Sequence, residues 1–512
     1  MIKKAGNLFA TAYLILIFAV YPFYMADGYV DIGEAKYKFF VFCSLGGLVI
    51  LAALALAEGF QTIWQRYRCR EAYLIRWERI SVTDLFVALY AIEVLISFLL
   101  SDYKQEAFQG TEGWRIGLVL LVMLCVFYFL ISRQWKGAPF LWYVCMAASG
   151  MVFILGILDR FSIYLIPIEI RDPGFISTLG NINWFCGYLS VFMPIGACIF
   201  IHGECRREKW VLGLYLLIGF MAGFCQGSSS VFLLFGALFF LLLWTAVSKR
   251  EKLAGWFLMT AIWGAAGQAV RALRIIMPDN YNYDTNNLCG MLTSSNLLLA
   301  VAVICLFIGV ILKCRGDGRW CREGEIKRIH QWMMIIPVTV FLLWGVITLL
   351  NTWKGIPGLK DSPLFLFDEN WGNGRGATWK AGIEVFGEMP IIGKLFGVGP
   401  DCFCAYAYEQ PKTAEMLRAY FGSIRLTNAH NELLTGLVNT GIFGVLLYLG
   451  IFLSSILRCL KRAERKPYLF IPAVCAFSYL VHNAVSFAQV LNLPFVFLIM
   501  AMGEGLLRRY ES

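Results

Sequence analysis

Charged side chains and histidines are scarce in this sequence, and several familiar motifs are absent from it. Charged residues make up 15% of the chain, against about 25% in ordinary soluble domains, which excludes a typical soluble globular protein. The chain has four histidines and no Walker A, HExxH, GxSxG or EF-hand pattern, so ATP-driven transport, zinc proteolysis and serine hydrolysis lose their usual sequence signatures. Hydrophobic residues make up 59% of the chain, and this indicates an integral membrane protein.

The charges and cysteines that are present exclude two further classes. The net charge is +10, but the basic residues are scattered between apolar stretches, which argues against nucleic-acid binding. Most of the 16 cysteines lie inside apolar stretches, where they serve as small core residues and not as a disulfide framework. The first apolar run, 8–25, lacks a small-residue cleavage site after it, so we expect a spanning helix there and not a signal peptide.

Long apolar segments recur along the chain, and a helix needs about 20 such residues to cross a bilayer. The predicted segments are 8–25, 37–57, 84–101, 115–132, 139–158, 183–202, 210–225, 228–247, 252–270, 296–313, 332–350, 433–457, 467–487 and 491–508. We therefore expect an all-α polytopic membrane protein with about 14 transmembrane helices.

The loop charges predict which side each loop faces, because short loops rich in Lys and Arg stay in the cytoplasm. With Lys3 and Lys4 inside, every even-numbered loop should be basic. Those loops contain Arg66, Arg68, Arg70, Arg76 and Arg79; Arg133 and Lys136; Arg206, Arg207 and Lys209; Lys249, Arg250 and Lys252; the stretch from Lys313 to Arg328; and the stretch from Arg458 to Lys466. We therefore expect both termini to be cytoplasmic.

The same rule places the one long loop outside, before the last three helices. This loop, residues 351–432, is named the cap segment below; it divides the chain into 1–350, 351–432 and 433–512. It is rich in tryptophan, tyrosine and phenylalanine, which is atypical of a disordered linker. We expect a folded cap with helices near 377–387 and 410–421.

His430 is the first candidate for chemistry in the cap segment. It lies in Thr427-Asn428-Ala429-His430-Asn431-Glu432, where the chain returns to the membrane. Polar neighbours could fix the tautomer of an imidazole that accepts or donates a proton. The structural alternative is a histidine that caps or anchors the following helix.

Arg375 is the second candidate, in Gly372-Asn373-Gly374-Arg375-Gly376 before a predicted helix. Its neighbours are small, so a ligand can approach the guanidinium, whose planar fork matches phosphate oxygens. The structural alternative is a salt bridge to Asp368 or Glu369. A third element, the turn that begins Gly397-Val398-Gly399-Pro400-Asp401, could direct backbone amides at a ligand.

Several short motifs together resemble one family. They are Arg375 with Trp379; Pro390; Gly397-Val398-Gly399-Pro400 with Phe403; His430-Asn431-Glu432-Leu433-Leu434; and Thr440-Gly441-Ile442-Phe443-Gly444. Their order, spacing and predicted topology resemble the bacterial O-antigen ligase and polymerase superfamily. The resemblance is strongest over 370–450 and extends to Gly180-Asn181-Ile182-Asn183-Trp184.

The resemblance implies a GT-C-like membrane glycosyltransferase of the bacterial cytoplasmic membrane, with an extracytoplasmic active site. Its donor would be a polyprenyl-diphosphate-linked glycan and its acceptor a hydroxyl on a glycan or lipid, with inversion and with neither metal nor cofactor. By the same resemblance His430 is the catalytic base and Arg375 holds the diphosphate. Asn431 and Asn183 are further substrate-binding candidates.

The chain departs from the family at one place. Members commonly carry a Ser-Arg pair at the outer start of a mid-chain helix, whereas this chain has Gln226-Gly227-Ser228-Ser229-Ser230 there. Arg271, Arg274 or Arg425 could supply the missing cation, or each could anchor its helix at the interface. Two other classes stay open: a transporter or flippase of a lipid-linked glycan or small anion, and a structural partner in envelope assembly.

Overall fold

The computed structural model describes residues 1–68, 80–203, 207–316, 318 and 321–511. Five of the loop charges used to predict sidedness, Arg70, Arg76, Arg79, Arg206 and Arg319, lie outside these described residues. The structure is built from α-helices, with a single pair of two-residue antiparallel strands, Phe175–Ile176 and Gly180–Asn181, in the described part.

The described residues of the first half of the chain form ten helices. They are α1 (Ile2–Ile15), α2 (Ile32–Arg68), α3 (Val82–Leu100), α4 (Lys104–Gln109), α5 (Leu118–Gln134), α6 (Phe140–Arg160), α7 (Ile182–His202), α8 (Lys209–Cys225), α9 (Val231–Ala246) and α10 (Arg250–Ile276). After α1 the chain continues through a π-helical turn, Leu16–Val20, and a 3-10 turn, Tyr21–Phe23.

Eleven more helices lie in the part of the second half that the structure describes. They are α11 (Leu288–Ser294), α12 (Leu297–Cys314), α13 (Glu323–Lys354), α14 (Trp371–Glu388), α15 (Ile391–Phe396), α16 (Phe403–Glu409), α17 (Pro411–Phe421), α18 (Glu432–Asn439), α19 (Gly441–Ala463), α20 (Phe470–His482) and α21 (Leu493–Glu511). Two more 3-10 turns, Pro278–Asn280 and Pro467–Leu469, precede α11 and α20.

Each of the fourteen apolar segments predicted from the sequence contains a helix, although α20 ends at His482 and leaves the last residues of 467–487 outside it. Within the described residues, nine helices are long and apolar enough to cross a membrane, and four further apolar helices are shorter. The structure is thus that of an all-helical polytopic membrane protein, while the exact number of crossings stays a prediction.

One predicted segment, 433–457, is broken into two helices. α18 ends at Asn439 and α19 begins at Gly441, whose φ of +69° is a left-handed conformation. A Cβ atom on Gly441 would lie 2.4 Å from the carbonyl carbon of Leu395. Only glycine fits this close approach of two backbones, so hydrophobicity alone did not reveal the break.

The most buried helices lie at the centre of the bundle. Every residue of α7 from Phe185 to His202 is buried, and this helix packs against α20, which also contacts α9 and α19. α12 and α13 lie at the periphery and expose most of their apolar side chains, as expected of helices that face lipid. The centre therefore provides a rigid base for the ends of α7 and α20.

The cap segment has its own small apolar core. Ala381, Val385, Phe403 and Leu417 are buried together with Ala429, which joins α14, α16 and α17 to the segment before α18. The predicted helices near 377–387 and 410–421 are confirmed by α14 and α17.

Candidate functional site

Arg375 begins the regular part of α14. The three residues before it, Gly372, Asn373 and Gly374, have φ values of 61°, 63° and 85°, a left-handed run that glycine and asparagine tolerate best. This run reverses the chain, so that the Arg375 Nη1 atom donates to the Gly372 carbonyl at 2.8 Å. The Nε atom donates to the Val485 carbonyl at 2.9 Å.

The predicted structural salt bridge of Arg375 is not formed. Glu369 pairs instead with Lys380 at 2.7 Å, and Asp368 accepts a hydrogen bond from the Asn370 amide. Within the described residues Arg375 has no carboxylate partner, and its side chain is only partly exposed. Its charge is therefore held in place by neutral carbonyls and is not neutralised.

His430 is held by its backbone. Its φ is +49°, and its amide donates to Asn428 Oδ1 at 2.9 Å. The preceding Ala429 is fixed on both sides, because its amide donates to Thr435 Oγ1 and its carbonyl accepts from Thr378 Oγ1. These bonds fix the backbone of His430 between α14 and α18.

The His430 ring is free of hydrogen bonds in the described part of the chain. Its Nδ1 atom is buried without a partner, and the ring packs edge-on against Phe487 with centroids 5.2 Å apart. Burial, and secondarily the positive charge of Arg375, lower the pKa of His430 to about 4. The imidazole is therefore neutral at pH 7 and has a lone pair available to accept a proton.

Arg375 and His430 are joined by the segment between α20 and α21, residues 483–488, named the connector below. Arg375 binds its Val485 carbonyl, and the His430 ring contacts its Phe487 side chain. The charge of Arg375 also acts on His482 and Cys186, at the adjoining ends of α20 and α7. The two predicted residues thus lie in one electrostatic neighbourhood.

Sequence reasoning missed the connector, although it fastens the start of α18 as well. The Glu432 amide donates to the Asn483 carbonyl at 2.9 Å, and the Glu432 carboxylate accepts from the Ala488 amide. Most of these connector contacts use backbone groups, which leave no residue-specific signal in a sequence.

Asn431, predicted to bind substrate, has a structural contact set. Its Oδ1 atom accepts from the Leu434 amide at 3.0 Å as the N-cap of α18, and its Nδ2 atom donates to the Ala484 carbonyl at 2.9 Å. The structural alternative for His430 was that it caps the following helix; Asn431, and not His430, is the N-cap of α18.

Asn183 lies beside the turn where the family commonly has its Ser-Arg pair. Ser228 Oγ donates to Asn183 Oδ1 at 2.7 Å and lies 2.9 Å from Ser230 Oγ. A row of contacting aromatic rings extends from this turn towards His430. The Trp184 and Trp114 ring centroids are 5.3 Å apart, and those of Trp114 and Phe487 are 4.8 Å apart.

A buried arginine that the sequence did not single out lies beneath this turn. Arg160, at the end of α6, is 0% exposed. Its guanidinium donates to the carbonyls of Cys225, Gln226 and Pro173 and lies over the Tyr283 ring at 4.3 Å. These bonds occupy its donors, so Arg160 supports the turn and does not replace the missing cation.

Arg271 and Arg274 contact α11 and the start of α12. Arg271 Nη1 donates to Asn296 Oδ1 at 2.8 Å, and Arg274 Nη1 donates to Thr293 Oγ1 at 3.1 Å. None of their described hydrogen bonds reaches Arg375 or His430. Their assignment as substrate ligands stays a prediction.

Arg425 is exposed and lies over the ring of Tyr408 at 5.0 Å. It lines a groove of about 510 Å³ on the cap, with Arg418 and Glu409 among the other lining residues. Its described contacts thus place it in the groove, five residues before His430 in the sequence.

The turn that begins at Gly397 does not present its first amides to a ligand. The Val398 and Gly399 amides donate to the carbonyls of Val438 and Asn439, both at 3.0 Å. The expectation that this turn faces a ligand is therefore wrong for these two amides, because they join the cap to α18.

The carboxyl groups of Asp401 and Glu432 line a small cavity of about 50 Å³, which Phe487, the residue packed against His430, also lines. Asp401 Oδ2 accepts from the amides of Thr111 and Ile116 at 2.7 and 3.0 Å. Burial raises the pKa of Asp401 to about 7, and burial also raises that of Glu432 to about 7. The cavity is polar and large enough for water.

These elements define a polytopic α-helical membrane protein with an arginine–histidine site at the junction of its cap and helical bundle. Residues 288–449 match the family described as O-antigen ligase. This match, over about a third of the chain, supports membership of the O-antigen ligase and polymerase superfamily, and with the apolar helices it points to an integral membrane protein of the bacterial envelope.

The matched residues include Arg375, Arg425, His430 and Asn431, and they end before the connector. The match supports glycan transfer of the ligase or polymerase kind. No curated protein matches the chain. Within the described residues no group of three or more His, Cys, Asp or Glu side chains could hold a metal ion; metal independence stays a prediction.

Proposed function

We propose that this protein transfers a glycan from a polyprenyl diphosphate carrier to a hydroxyl group on a glycan or lipid acceptor, at the extracytoplasmic face of the membrane. The observation that carries the proposal is the convergence of Arg375 and His430 on the connector, inside the domain that matches O-antigen ligase.

His430 is the general base in this proposal. Its neutral imidazole takes the proton from the acceptor hydroxyl as that oxygen bonds to the anomeric carbon of the donor. Its Nδ1 atom is buried without a partner, so we assign the proton transfer to Nε2. The fixed backbone of Ala429 keeps the ring in position during the reaction.

Arg375 holds the leaving group. As the anomeric carbon–oxygen bond breaks, its electron pair goes to the diphosphate, and the guanidinium stabilises the charge that develops there. The Nε and Nη1 atoms are fixed by carbonyls, which leaves the Nη2 side of the fork for a phosphate oxygen. The acceptor proton ends on His430 and the electron pair of the broken bond ends on the diphosphate, so atoms and electrons balance.

The reaction is expected to invert the anomeric configuration. The acceptor oxygen, activated by His430, attacks from one face of the sugar while the diphosphate leaves from the other. Burial and, secondarily, the charge of Arg375 hold the pKa of His430 down, and binding of the anionic donor offsets the charge of Arg375. The base should therefore become stronger when the donor is bound.

Reconstituted vesicles provide the test. Purified protein is given a labelled lipid-linked glycan and a hydroxyl-bearing acceptor, and formation of the new glycosidic bond is measured for the wild-type protein and for His430→Ala. Bond formation by the wild-type protein that disappears in the variant is the expected result. Equal transfer by both proteins would overturn the assignment of the base.

The rival function is transport of a lipid-linked glycan or small anion. Glu93 on α3 favours it, since it is 3% exposed and neither carboxylate oxygen has a hydrogen-bond partner in the described residues, and buried acids of this kind are common in transport pathways. The same vesicles distinguish the two functions: movement of the label across the bilayer without a new bond would establish transport.

A further inference from the structure

We propose that the groove on the outer side of the cap binds several sugar units of the substrate glycan, at a distance from the reacting bond. This inference rests on the proposed function, because it assigns to the substrate a second contact beyond His430 and Arg375. The six residues that carry it are Tyr103, Glu106, Tyr408, Glu409, Arg418 and Arg425.

The groove has the size of a ligand site. Its volume is about 510 Å³, within the range of about 300–1,000 Å³ that ligand pockets occupy. Its walls come from three places in the chain: the start of α4, the helix α16, and the end of α17 with the loop 422–425. The groove therefore lies between the cap segment and the start of α4, and does not belong to one loop.

Aromatic rings line two sides of the groove. Tyr408 is partly exposed on α16, and Tyr103 is partly exposed opposite it. The face of an aromatic ring carries partial negative charge, which suits the weakly positive C–H groups on the face of a sugar ring. The Arg425 guanidinium lies over the Tyr408 ring at 5.0 Å, so it is the ring surface that the two tyrosines leave uncovered that favours a carbohydrate ligand over a purely ionic one.

The charges of the groove balance. Glu106 and Glu409 contribute two negative charges, and Arg418 and Arg425 contribute two positive charges. In the described part of the chain no salt bridge joins either arginine to either glutamate. Each charged group can therefore bind a hydroxyl, since carboxylates accept and guanidinium groups donate. A hydroxyl-rich, neutral ligand uses both kinds of group.

One hydrogen bond orders the acidic side. The Tyr103 hydroxyl donates to the Glu409 carboxylate, which fixes the carboxylate and the ring relative to each other. Tyr103 also packs edge-on against Tyr406, with centroids 6.5 Å apart. The aromatic and acidic elements are thus preorganised, which reduces the entropy lost on binding.

The groove adjoins the base along the chain. The Tyr408 hydroxyl accepts from the Leu426 amide at 2.9 Å, so the groove wall is attached to the strand of chain that leads to His430. Arg425 and His430 are five residues apart, which is at most about 18 Å even for a fully extended chain. A short oligosaccharide can therefore occupy the groove while its end reaches the base.

Binding of defined oligosaccharides to the full-length protein in detergent or nanodiscs tests this inference. The probes are fluorescently labelled maltohexaose, cellohexaose and N-acetylchitohexaose. The double variant Glu106→Gln/Arg418→Ala removes two groove groups that are exposed. We expect it to weaken binding at least about tenfold, since the charged donor of Arg418 is lost and the charged acceptor of Glu106 becomes a neutral amide oxygen. Glu415→Gln is the matched control, because Glu415 is an exposed acid on α17 outside the groove.

Measurement on His430→Ala separates this inference from the proposed function. Because His430 is not among the residues that line the groove, His430→Ala should bind the probes as the wild-type protein does, whether or not it transfers a glycan. Binding by wild type that the double variant loses establishes the groove even if no glycan transfer is detected. Failure of all three probes to bind wild type, or equal binding by the double variant, would overturn it.

Discussion

Arg375 and His430 contact the same connector at residues that are two positions apart. The Nε atom of Arg375 donates to the Val485 carbonyl at 2.9 Å, and the His430 ring packs against Phe487. One short piece of backbone therefore sets the positions of the cation and the base. The proposed chemistry depends on this arrangement, and the predictions below test its parts.

His430→Ala should abolish glycan chain extension or attachment while the protein stays folded and inserted. The ring makes no hydrogen bond in the described residues, so its loss should cost little stability. His330→Ala is a suitable control, because His330 lies in the first part of α13, where it stacks on Trp244. Normal polymer in cells that carry only the His430→Ala protein would refute its role.

Arg375→Lys should be nearly as damaging as Arg375→Ala. A lysine ammonium cannot keep both carbonyl bonds and still present a planar fork to phosphate. Turnover of a lipid-linked donor by each variant is the measurement, with Lys380→Arg as a control that retains the charge bridged to Glu369. Full activity of the lysine variant would remove the diphosphate-binding role.

Arg375→Gln should raise the pKa of His430 from about 4, because the charge of Arg375 contributes to lowering it. In the wild-type protein the folded state binds fewer protons than the unfolded chain between about pH 4 and 6.5, so His430 makes stability fall as the pH falls through that window. In the Arg375→Gln variant the pH range over which His430 lowers stability should be narrower, because the pKa of His430 in the folded state moves closer to that in the unfolded chain. Imidazole titration by NMR measures the pKa directly, and an unchanged value would show that the two groups are uncoupled.

Asn431→Ala should lower both stability and activity. It removes the N-cap of α18, which costs about 1 kcal/mol, and the bond to the Ala484 carbonyl. Asn431→Asp keeps the cap but loses the amide donor, so it should recover stability and only part of the activity. Thermal melting and turnover are compared; full activity in the alanine variant would show that the connector needs no such bond.

Asp401→Ala should destabilise the protein by about 1–3 kcal/mol for each backbone donor that it leaves without a partner. The carboxylate accepts from the amides of Thr111 and Ile116, and Asp401→Asn should lose less because its amide oxygen still accepts. Since burial raises the pKa of Asp401 to about 7, the folded state binds more protons than the unfolded chain between about pH 4 and 7. Stability should therefore fall as the pH rises through that window, and this slope should decrease in the asparagine variant.

Hydropathy predicted where the helices lie, because a chain in a bilayer must satisfy its backbone bonds within each segment. It could not predict their ends: α13 begins at Glu323, nine residues before the predicted segment 332–350, because charged residues continue a helix beyond the membrane. The break at Gly441 was missed for a different reason, since it follows from a close contact with Leu395, far away in the sequence.

The motifs led to Arg375 and His430 because both are ionisable residues in unusual local sequences. Their partners were not predictable in the same way. The carbonyls of Val485 and Ala484 are acceptors that any residue would supply, and the groove around Tyr408 combines α4 with α16, whose residues are about 300 apart in the chain. Such neighbours follow from tertiary folding alone.

The three left-handed residues before Arg375 restrict which substitutions the turn that positions this arginine can accept. A Cβ atom at Gly374 would lie 3.3 Å from the Tyr420 hydroxyl, and its φ of +85° already disfavours any side chain. A change in the preferred glycan donor is therefore easier to reach by substitutions in the open groove, where exposed side chains can be replaced one at a time, than by substitutions around Arg375. Relatives that accept different glycans should then differ most along the groove and least in the turn at 372–374.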